Sequence, residues 1–534
     1  MIYYYMYKFI SNDPHYVSWE VINTNTFEKV SNDIIKIDPI KEKLLNHDTF
    51  DIVPELKIMY SPIRLNKYNA GILDLSKTYG RADNKMLYLC KPDDKRMPYF
   101  LVPYVVPASF DKVKKQLYIT FEFKEWLDHP IGIISQNIGN VDIPENYYEY
   151  VLYSKSLNVS IQPFTKDVLR CFKEEQQKDI IKSICKKYNI EERNDRVFTI
   201  DSTESIDLDD GISVKNVDGV DIVSVYITHV PIVLDYLNLW GSFTNRISTI
   251  YLPDKKRSML PMALSQLCSL NQNEERICLV MDINTKTNNN RLSIAKVKIH
   301  KNYSYDEEKL LNHPDYIKIK DIYKSKNSHD LVEELMILFN KECTKRIKKF
   351  KNGIYKHITN SGIIPLPEPI YSYINISRSK KACYTKYLED CDYAQFTSPI
   401  RRLVDILNII QICFNENMIY FVKGDEFYED WLEKIDYMNV SMRHIRKIQL
   451  KCKLLDTFIH QEHKFFTGYV FDKLMRSDNK FKYNVFLPEL KMNTSITIQE
   501  DLVEYSEHQF KVYIFQNEGE LKKKIKLQIL DSQS

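Results

Sequence analysis

Residues 201 to 211 read D-S-T-E-S-I-D-L-D-D-G and place four aspartates, Asp201, Asp207, Asp209 and Asp210, within ten residues. The run R-V-F-T-I at 196–200 just before them is β-prone, and a second β-prone run, G-V-D-I-V-S-V-Y-I at 219–227, follows. Carboxylates crowded between two strands repel one another, and gathering them without a cation costs several kcal/mol where the dielectric is low. Mg2+ removes that repulsion, because it takes hard oxygen ligands and commonly pairs one or two carboxylates with a substrate phosphate. The plain alternative is an acidic surface turn, the commoner fate of an Asp-rich loop. A calcium loop fits poorly, since it needs acids at alternate positions and a distant glutamate.

Nearly two hundred residues downstream, Q-F-T-S-P-I-R-R-L-V-D at 395–405 predicts a helix start, with Thr397 or Ser398 as cap and Pro399 in the first turn. Arg401 and Arg402 then fall in that first turn, where cations oppose the helix macrodipole and need another reason to be present. A phosphate supplies one, because a helix N-terminus and a guanidinium fork both favour an anion. Acids for metal ions and an arginine for phosphate are the parts of a phosphodiester hydrolase.

On these residues the sequence resembles the ribonuclease II family, whose catalytic domain carries an Asp-rich loop of this form and an F-T-S-P-I-R-R helix start. The resemblance implies a multidomain α/β protein, in which a mixed α/β RNB catalytic domain is flanked by small OB-like β-barrels. It is closest to the exosome-associated eukaryotic type, whose additional N-terminal endonuclease domain is expected to be missing here. The activity implied is Mg2+-dependent hydrolytic 3′→5′ degradation of single-stranded RNA to 5′-nucleoside monophosphates, with Mn2+ able to substitute. Two metal ions would be held by the four aspartates, Asp201 and Asp210 on the better-held ion, Asp207 and Asp209 on the second ion and the water. Arg401 would neutralise charge on the reacting phosphate, with Arg402 in support or on a neighbouring phosphate. RNA would be distinguished from DNA at the 2′-hydroxyl. A reading from a different class is an RNB-fold RNA-binding subunit of an RNA-processing assembly that is weak or inactive in catalysis.

Further matches follow the chain. Residues 1–65 and 66–164 read as short β-prone runs, expected as an abbreviated first and a second cold-shock-like barrel. Residues 165–457 are expected as the catalytic domain, led by one amphipathic helix over Thr165 to Tyr188. Within it, S-T-I-Y-L-P-D at 248–254 and the stretch from Met259 to Leu270 resemble the floor of the family's RNA channel. By that match Tyr251 packs on the 3′-terminal nucleotide and Arg276 contacts RNA; from the residues alone, a strand tyrosine is more simply a core aromatic. The helix V-E-E-L-M at 332–336 fits another family block, with Glu334 and Asn340 expected to be structural. Trp431 to Gln461 predicts a long helix with a basic face, and residues 458–534 a C-terminal OB-type RNA-binding barrel.

Several positions depart from the family. The segment between Tyr305 and His329 is short and lacks the expected basic, aromatic stretch, and the region from His357 to Ile376 is abbreviated. Gln395 stands for a histidine before F-T-S-P, His229 for an aspartate, and Ile409-Ile410 for His-Arg. These departures bear on substrate grip and leave the four aspartates and Arg401 untouched.

Composition sets the remaining expectations. Seventy-five Lys and Arg against 72 Asp and Glu leave only +3, so a nucleic-acid site must be a local basic surface. Ten cysteines without a C-x-x-C pair argue against structural zinc and for a reducing compartment. No apolar run reaches the roughly 18 residues of a membrane span. The chain is thus expected to be a soluble, intracellular monomer, cytoplasmic or nuclear, with single-stranded RNA as partner and a helicase or RNA-processing complex as candidate protein partners.

Overall fold

The strands on either side of the acidic loop alternate in what they bury, and that alternation builds a barrel. In the computed structural model, Glu191–Asp201, Asp210–Val217, Val220–Thr228, Glu275–Asn284 and Asn290–Ser304 close in that order. The first and last meet in parallel, with Asp201 opposite Ser304, and the other neighbours are antiparallel. Successive side chains of a strand point to opposite faces. Val223, Val225 and Ile227 therefore face the large outer core, while Tyr226 points inward to meet Val197, Cys278, Val280 and Val297. Gly211 is required by space, because a Cβ there would lie 3.0 Å from Val197 Cγ1 and 3.4 Å from Leu270 Cδ1. The structure describes residues 6–530 apart from 32–34, 53–54, 83, 108–115, 288, 358–382, 387–392, 460–462, 477, 491 and 518–519. The abbreviated region after His357 thus lies largely outside the described residues.

Helices cover the barrel and carry the second half of the site. Leu403–Asn415 is buried along almost its whole length and packs on Ser328–Phe350, Val230–Tyr236 and Val422–Glu433. It buries Asp405, Asn408, Gln411 and Asn415 along with its apolar residues, and each of the four makes a hydrogen bond, as buried polar groups must. Ahead of the catalytic barrel lies a second closed barrel of Asn69–Ala82, Lys85–Pro92, Phe100–Tyr104, Leu117–Trp126 and Pro130–Asn140. Residues 7–60 and 463–529 form five-stranded sheets, so the protein is a mixed α/β multidomain chain with barrels and OB-like sheets. Among the described residues no helix is long and apolar enough to cross a membrane.

Three local expectations are corrected. The helix expected over Thr165 to Tyr188 is two helices, Gln162–Glu174 and Gln177–Tyr188. Glu175 breaks them in an extended conformation, its carboxylate accepting from Ser183 Oγ at 2.6 Å and Tyr236 Oη at 2.8 Å. The helix expected from Trp431 begins only at Ile435 and runs to Ile459, Trp431 belonging to the preceding helix Val422–Glu433. Arg401 and Arg402 do not lie in a first helical turn: the helix begins at Leu403, with Arg402 as its N-cap residue. The T-S-P-I-R segment is instead a turn, in which Arg401 and Arg402 both donate their backbone N–H to Ser398 O. Asp405 occupies the first turn, where a carboxylate suits the macrodipole, and accepts from Ser398 N at 2.8 Å.

Candidate active site

Asp201 ends one barrel strand and Asp210 begins the next, so the acidic loop is the connection between them. Ser269 pins that connection. Its Oγ accepts from Leu208 N at 2.9 Å and donates to Ile206 O at 3.2 Å, while Leu270 N donates to Leu208 O at 3.0 Å. Thr228 N donates to Asp209 O at 2.9 Å, which fixes the double aspartate at the barrel rim.

The turn before Leu403 is docked on this rim. Asp209 is 2% exposed, its Oδ1 accepting from Ile400 N at 2.9 Å and its Oδ2 from Arg401 Nε at 3.2 Å. A second seam runs along residues 247–251: Thr249 N donates to Arg401 O at 3.0 Å, Ser248 Oγ to the same oxygen at 2.9 Å, and Leu403 N to Ile247 O at 3.0 Å. Tyr251 follows on this strand. It is 44% exposed; partial burial pushes its phenol up, opposed by the Arg401 guanidinium and helped by Asp207 and Asp209. The site therefore gathers Asp201, Asp209, Asp210, Arg401 and Tyr251.

Three expected residues are engaged differently. Both carboxylate oxygens of Asp207 accept from Lys256 Nζ, at 3.0 and 2.9 Å. Arg402 turns its Nη2 to Asp405 Oδ1 at 2.8 Å. Arg276 is 5% exposed and donates to the carbonyls of Ser269, Gln266 and Glu275 and to the Glu274 carboxylate. This corrects the expected RNA contact: Arg276 ties together the segment that pins the acidic loop. His229 is buried too, capping Val230–Tyr236 by accepting from Ile232 N at 3.2 Å, with Cys413 Sγ 3.3 Å from its Nε2. Burial pushes this imidazole down to about 3, so it is neutral. Gln395 accepts from Tyr384 Oη at 3.1 Å. Asn340 has the structural role expected of it, accepting from Phe396 N at 2.8 Å and donating to Thr397 Oγ1 at 3.3 Å.

Sequence reasoning missed one pair. Tyr305 stacks on His329, ring centres 3.7 Å apart at 12°, and Tyr305 N donates to Asp201 O at 3.0 Å. Burial, then Asp210 and Asp201, push the Tyr305 phenol up to about 12. The short segment between these two residues does not leave the site without rings, because its ends fold back onto each other. Residues 24 apart in sequence give no local signal of that stack.

Burial pushes the carboxyls of Asp201, Asp209 and Asp210 each up to about 7. Asp209 adds to the effect on Asp201 and Asp201 to that on Asp210, while Arg401 opposes it throughout. Asp201 Oδ2 is buried without a hydrogen-bond partner among the described residues. Among the described residues no three acidic, His or Cys side chains form a ready-made metal cage. The donors do fit one Mg2+, which commonly needs only one or two carboxylates beside water and phosphate: among the described residues Asp201 and Asp210 form no ion pair, unlike Asp207 and Asp209. A carboxyl raised in the folded state binds its proton more tightly there than in the unfolded chain. Its contribution to stability is full below about pH 4 and is lost as pH rises through about 7. The melting temperature of metal-free protein is therefore expected to fall between pH 5 and 8. Mg2+ at 100 times its Kd should restore about 2.7 kcal/mol at pH 8 and far less at pH 5. Calorimetric scans with and without Mg2+ check this, and identical pH 8 scans would remove these carboxylates as ligands.

Comparison with known proteins agrees with this geometry. The RNB domain model matches residues 190–310, which contain the barrel and the acidic loop. DIS3-like exonuclease 2 of Schizosaccharomyces pombe is 30% identical over 220 residues, 38% of this chain and 23% of that protein. The alignment thus spans about a quarter of the relative's length. Among solved structures, Mycoplasma genitalium RNase R in complex with ribose-methylated single-stranded RNA superposes with a TM-score of 0.66 at 16% identity, over 98% of this chain and 100% of that one. Yeast Ssd1, described as a pseudonuclease, superposes with a TM-score of 0.57 at 12% identity, over 96% and 81%. At these identities the two structures speak for the fold alone. The barrel and the acidic loop both lie within the matched stretch, so residues 190–310 form an RNB domain.

Proposed function

We propose that the chain is a hydrolytic 3′→5′ exoribonuclease that releases 5′-nucleoside monophosphates from single-stranded RNA. The observation that carries this reading is the seating of Arg401 against Asp209 across 192 residues of sequence, beside Asp201 and Asp210, which form no ion pair among the described residues. Asp201 and Asp210 would hold Mg2+, or Mn2+ in its place, which supplies charge to activate water and steady the leaving 3′ oxygen. Asp209 orients Arg401 through Nε and locks the turn through Ile400 N, so that the guanidinium is preorganised where phosphate charge builds up. Burial works against the Arg401 charge, but Asp209, Tyr251 and Asp210 outweigh it and hold the guanidinium above its usual range. Tyr251, half open to solvent beside Arg401, offers its ring to the terminal base.

A second reading is a subunit that binds RNA without turnover. One observation favours it: Lys256 occupies both oxygens of Asp207, which leaves fewer carboxylates for a second metal ion. A 5′-labelled unstructured RNA incubated with and without Mg2+ separates the two, since stepwise shortening with monophosphate release belongs only to the enzyme. On the enzyme reading, Tyr251→Ala is expected to lengthen the final product while leaving the first cleavage of a long RNA nearly unchanged. Each base stacked on an aromatic ring is worth about 1–3 kcal/mol, which decides residence only for short oligonucleotides. A denaturing-gel time course checks this, and an unchanged limit product would take Tyr251 off the RNA path.

A further inference from the structure

A cavity of about 330 Å3 lies between the N-terminal sheet and the barrel over residues 69–140, well outside the acidic site. Its walls include His15 from the turn between the strands Tyr7–Ser11 and Trp19–Asn23, Tyr79, Tyr99 and Trp126 from the barrel side, and Asp128 and His129 from the turn joining Leu117–Trp126 to Pro130–Asn140. Tyr79 is 46% and Tyr99 38% exposed. Large rings open to water around a cavity are surface that a planar ligand would cover. His15 meets Tyr99 edge-on, ring centres 5.7 Å apart, so one wall is braced. Asp128 and His129 are exposed to solvent, and among the described residues their side chains have no hydrogen-bond or ion-pair partner within the protein. Lys77 and Arg81 lie on either side of Tyr79 in an exposed strand segment, Arg81 donating Nε to Met86 Sδ at 3.2 Å, and Lys41, 3.7 Å from Asp38 Oδ2, follows Ile40, another wall residue.

We propose that this cavity binds a guanine base, stacked on the tyrosines and held along its pairing edge by Asp128. An ionised carboxylate only accepts hydrogen bonds. Of the four RNA bases only guanine presents two adjacent N–H donors on that edge, N1–H and the N2 amino group, to match its two oxygens. Adenine, cytosine and uracil each set a lone-pair acceptor beside their single donor group, which a carboxylate repels. The cavity falls at the lower end of the sizes that hold small ligands, enough for a base with part of its ribose. The attached phosphate would lie at the rim with Lys77, Arg81 and Lys41 as its cations. A proline-rich segment also docks on aromatic rings, but its prolines lack an N–H for Asp128 and it carries no phosphate for the rim cations. The ligand is either a free guanine nucleotide or a guanosine within single-stranded RNA. The RNA case rests on the RNA-degrading reading above, but the base preference does not.

Calorimetric titration of the full chain in EDTA with GMP, AMP, CMP and UMP is the test. GMP is expected to bind at least tenfold more tightly than the other three. Asp128→Asn, and independently Tyr99→Ala, should each lower GMP affinity at least tenfold with an unchanged melting temperature. Arg401→Ala should leave it unchanged, which separates the cavity from the acidic site. A guanosine-containing hexaribonucleotide binding more tightly than GMP assigns the cavity to RNA, and equal affinity assigns it to the free nucleotide. Equal binding of all four nucleotides, binding of none, a preference that survives Asp128→Asn or disappears in Arg401→Ala, or binding only of a proline-rich peptide overturns the proposal. RNA hydrolysis in Mg2+, measured separately on a guanosine-free RNA, reports on the catalytic reading alone and should be unaffected by Asp128→Asn.

Discussion

Asp210→Asn is expected to lower the rate of RNA hydrolysis at least about a thousandfold, while metal-free protein melts at a higher temperature at pH 8. Asp210 faces Asp201, and burial and that neighbour already push its carboxyl up to about 7. An amide keeps the shape and removes the charge. The repulsion between the two buried carboxylates then disappears, so the metal-free fold gains stability where both would be ionised. The same change removes one of the two carboxylates that form no ion pair among the described residues, and metal-assisted charge stabilisation worth several kcal/mol is lost with it. At 1.36 kcal/mol per tenfold, about 4 kcal/mol corresponds to the thousandfold expected. Opposite movements of rate and stability mark a functional carboxylate, since a merely structural one would lose both. Initial rates on labelled RNA and melting curves in EDTA check the two halves. A variant that retains a tenth of the rate, or that melts lower in EDTA at pH 8, would sink this role for Asp210.

Arg401→Lys is expected to cost about a hundredfold to a thousandfold in kcat, the range for removing one preorganised donor to transition-state charge. The guanidinium makes two internal contacts, Nε to Asp209 Oδ2 at 3.2 Å and Nη2 to Ser398 Oγ at 3.1 Å, that hold its plane in place. An ammonium is a point charge on a flexible stem. It can keep the ion pair with Asp209 but has no second fork for phosphate. Because Asp209 also accepts from Ile400 N, the turn itself should survive the change, so KM is expected to move much less than kcat. Steady-state kinetics on a homopolymeric RNA distinguish the outcomes. Equal kcat for the Arg and Lys proteins would mean that the residue contributes only its charge, at a distance.

Much of the site was legible because its chemistry is written in short runs. Four aspartates between two β-prone segments required a cation or a partner, and the R-R after T-S-P required an anion; both needs are local properties of charge and conformation. The alternation in V-D-I-V-S-V-Y-I likewise implied a strand with two different faces. What such a pattern leaves open is what covers each face. That the strands close into a barrel depends on the parallel contact that sets Asp201 opposite Ser304, about a hundred residues apart, and no local preference encodes that register.

The division of roles among the charged residues was decided by tertiary contacts. Four equivalent aspartates in the sequence become three kinds in the fold: Asp207 on Lys256, Asp209 on Arg401 and Ile400 N, and Asp201 with Asp210. Arg401 and Arg402, adjacent and identical, part company because Asp405 captures one and Asp209 the other. Arg276, expected by the family match to contact RNA, spends its donors on three backbone carbonyls and Glu274, because the segment from Gln266 to Ser269 curls over it. A charge in sequence declares only that it needs a partner. Which partner it gets depends on which oxygens and nitrogens the packed chain brings within about 3 Å, and that is settled by the burial of apolar faces tens to hundreds of residues away.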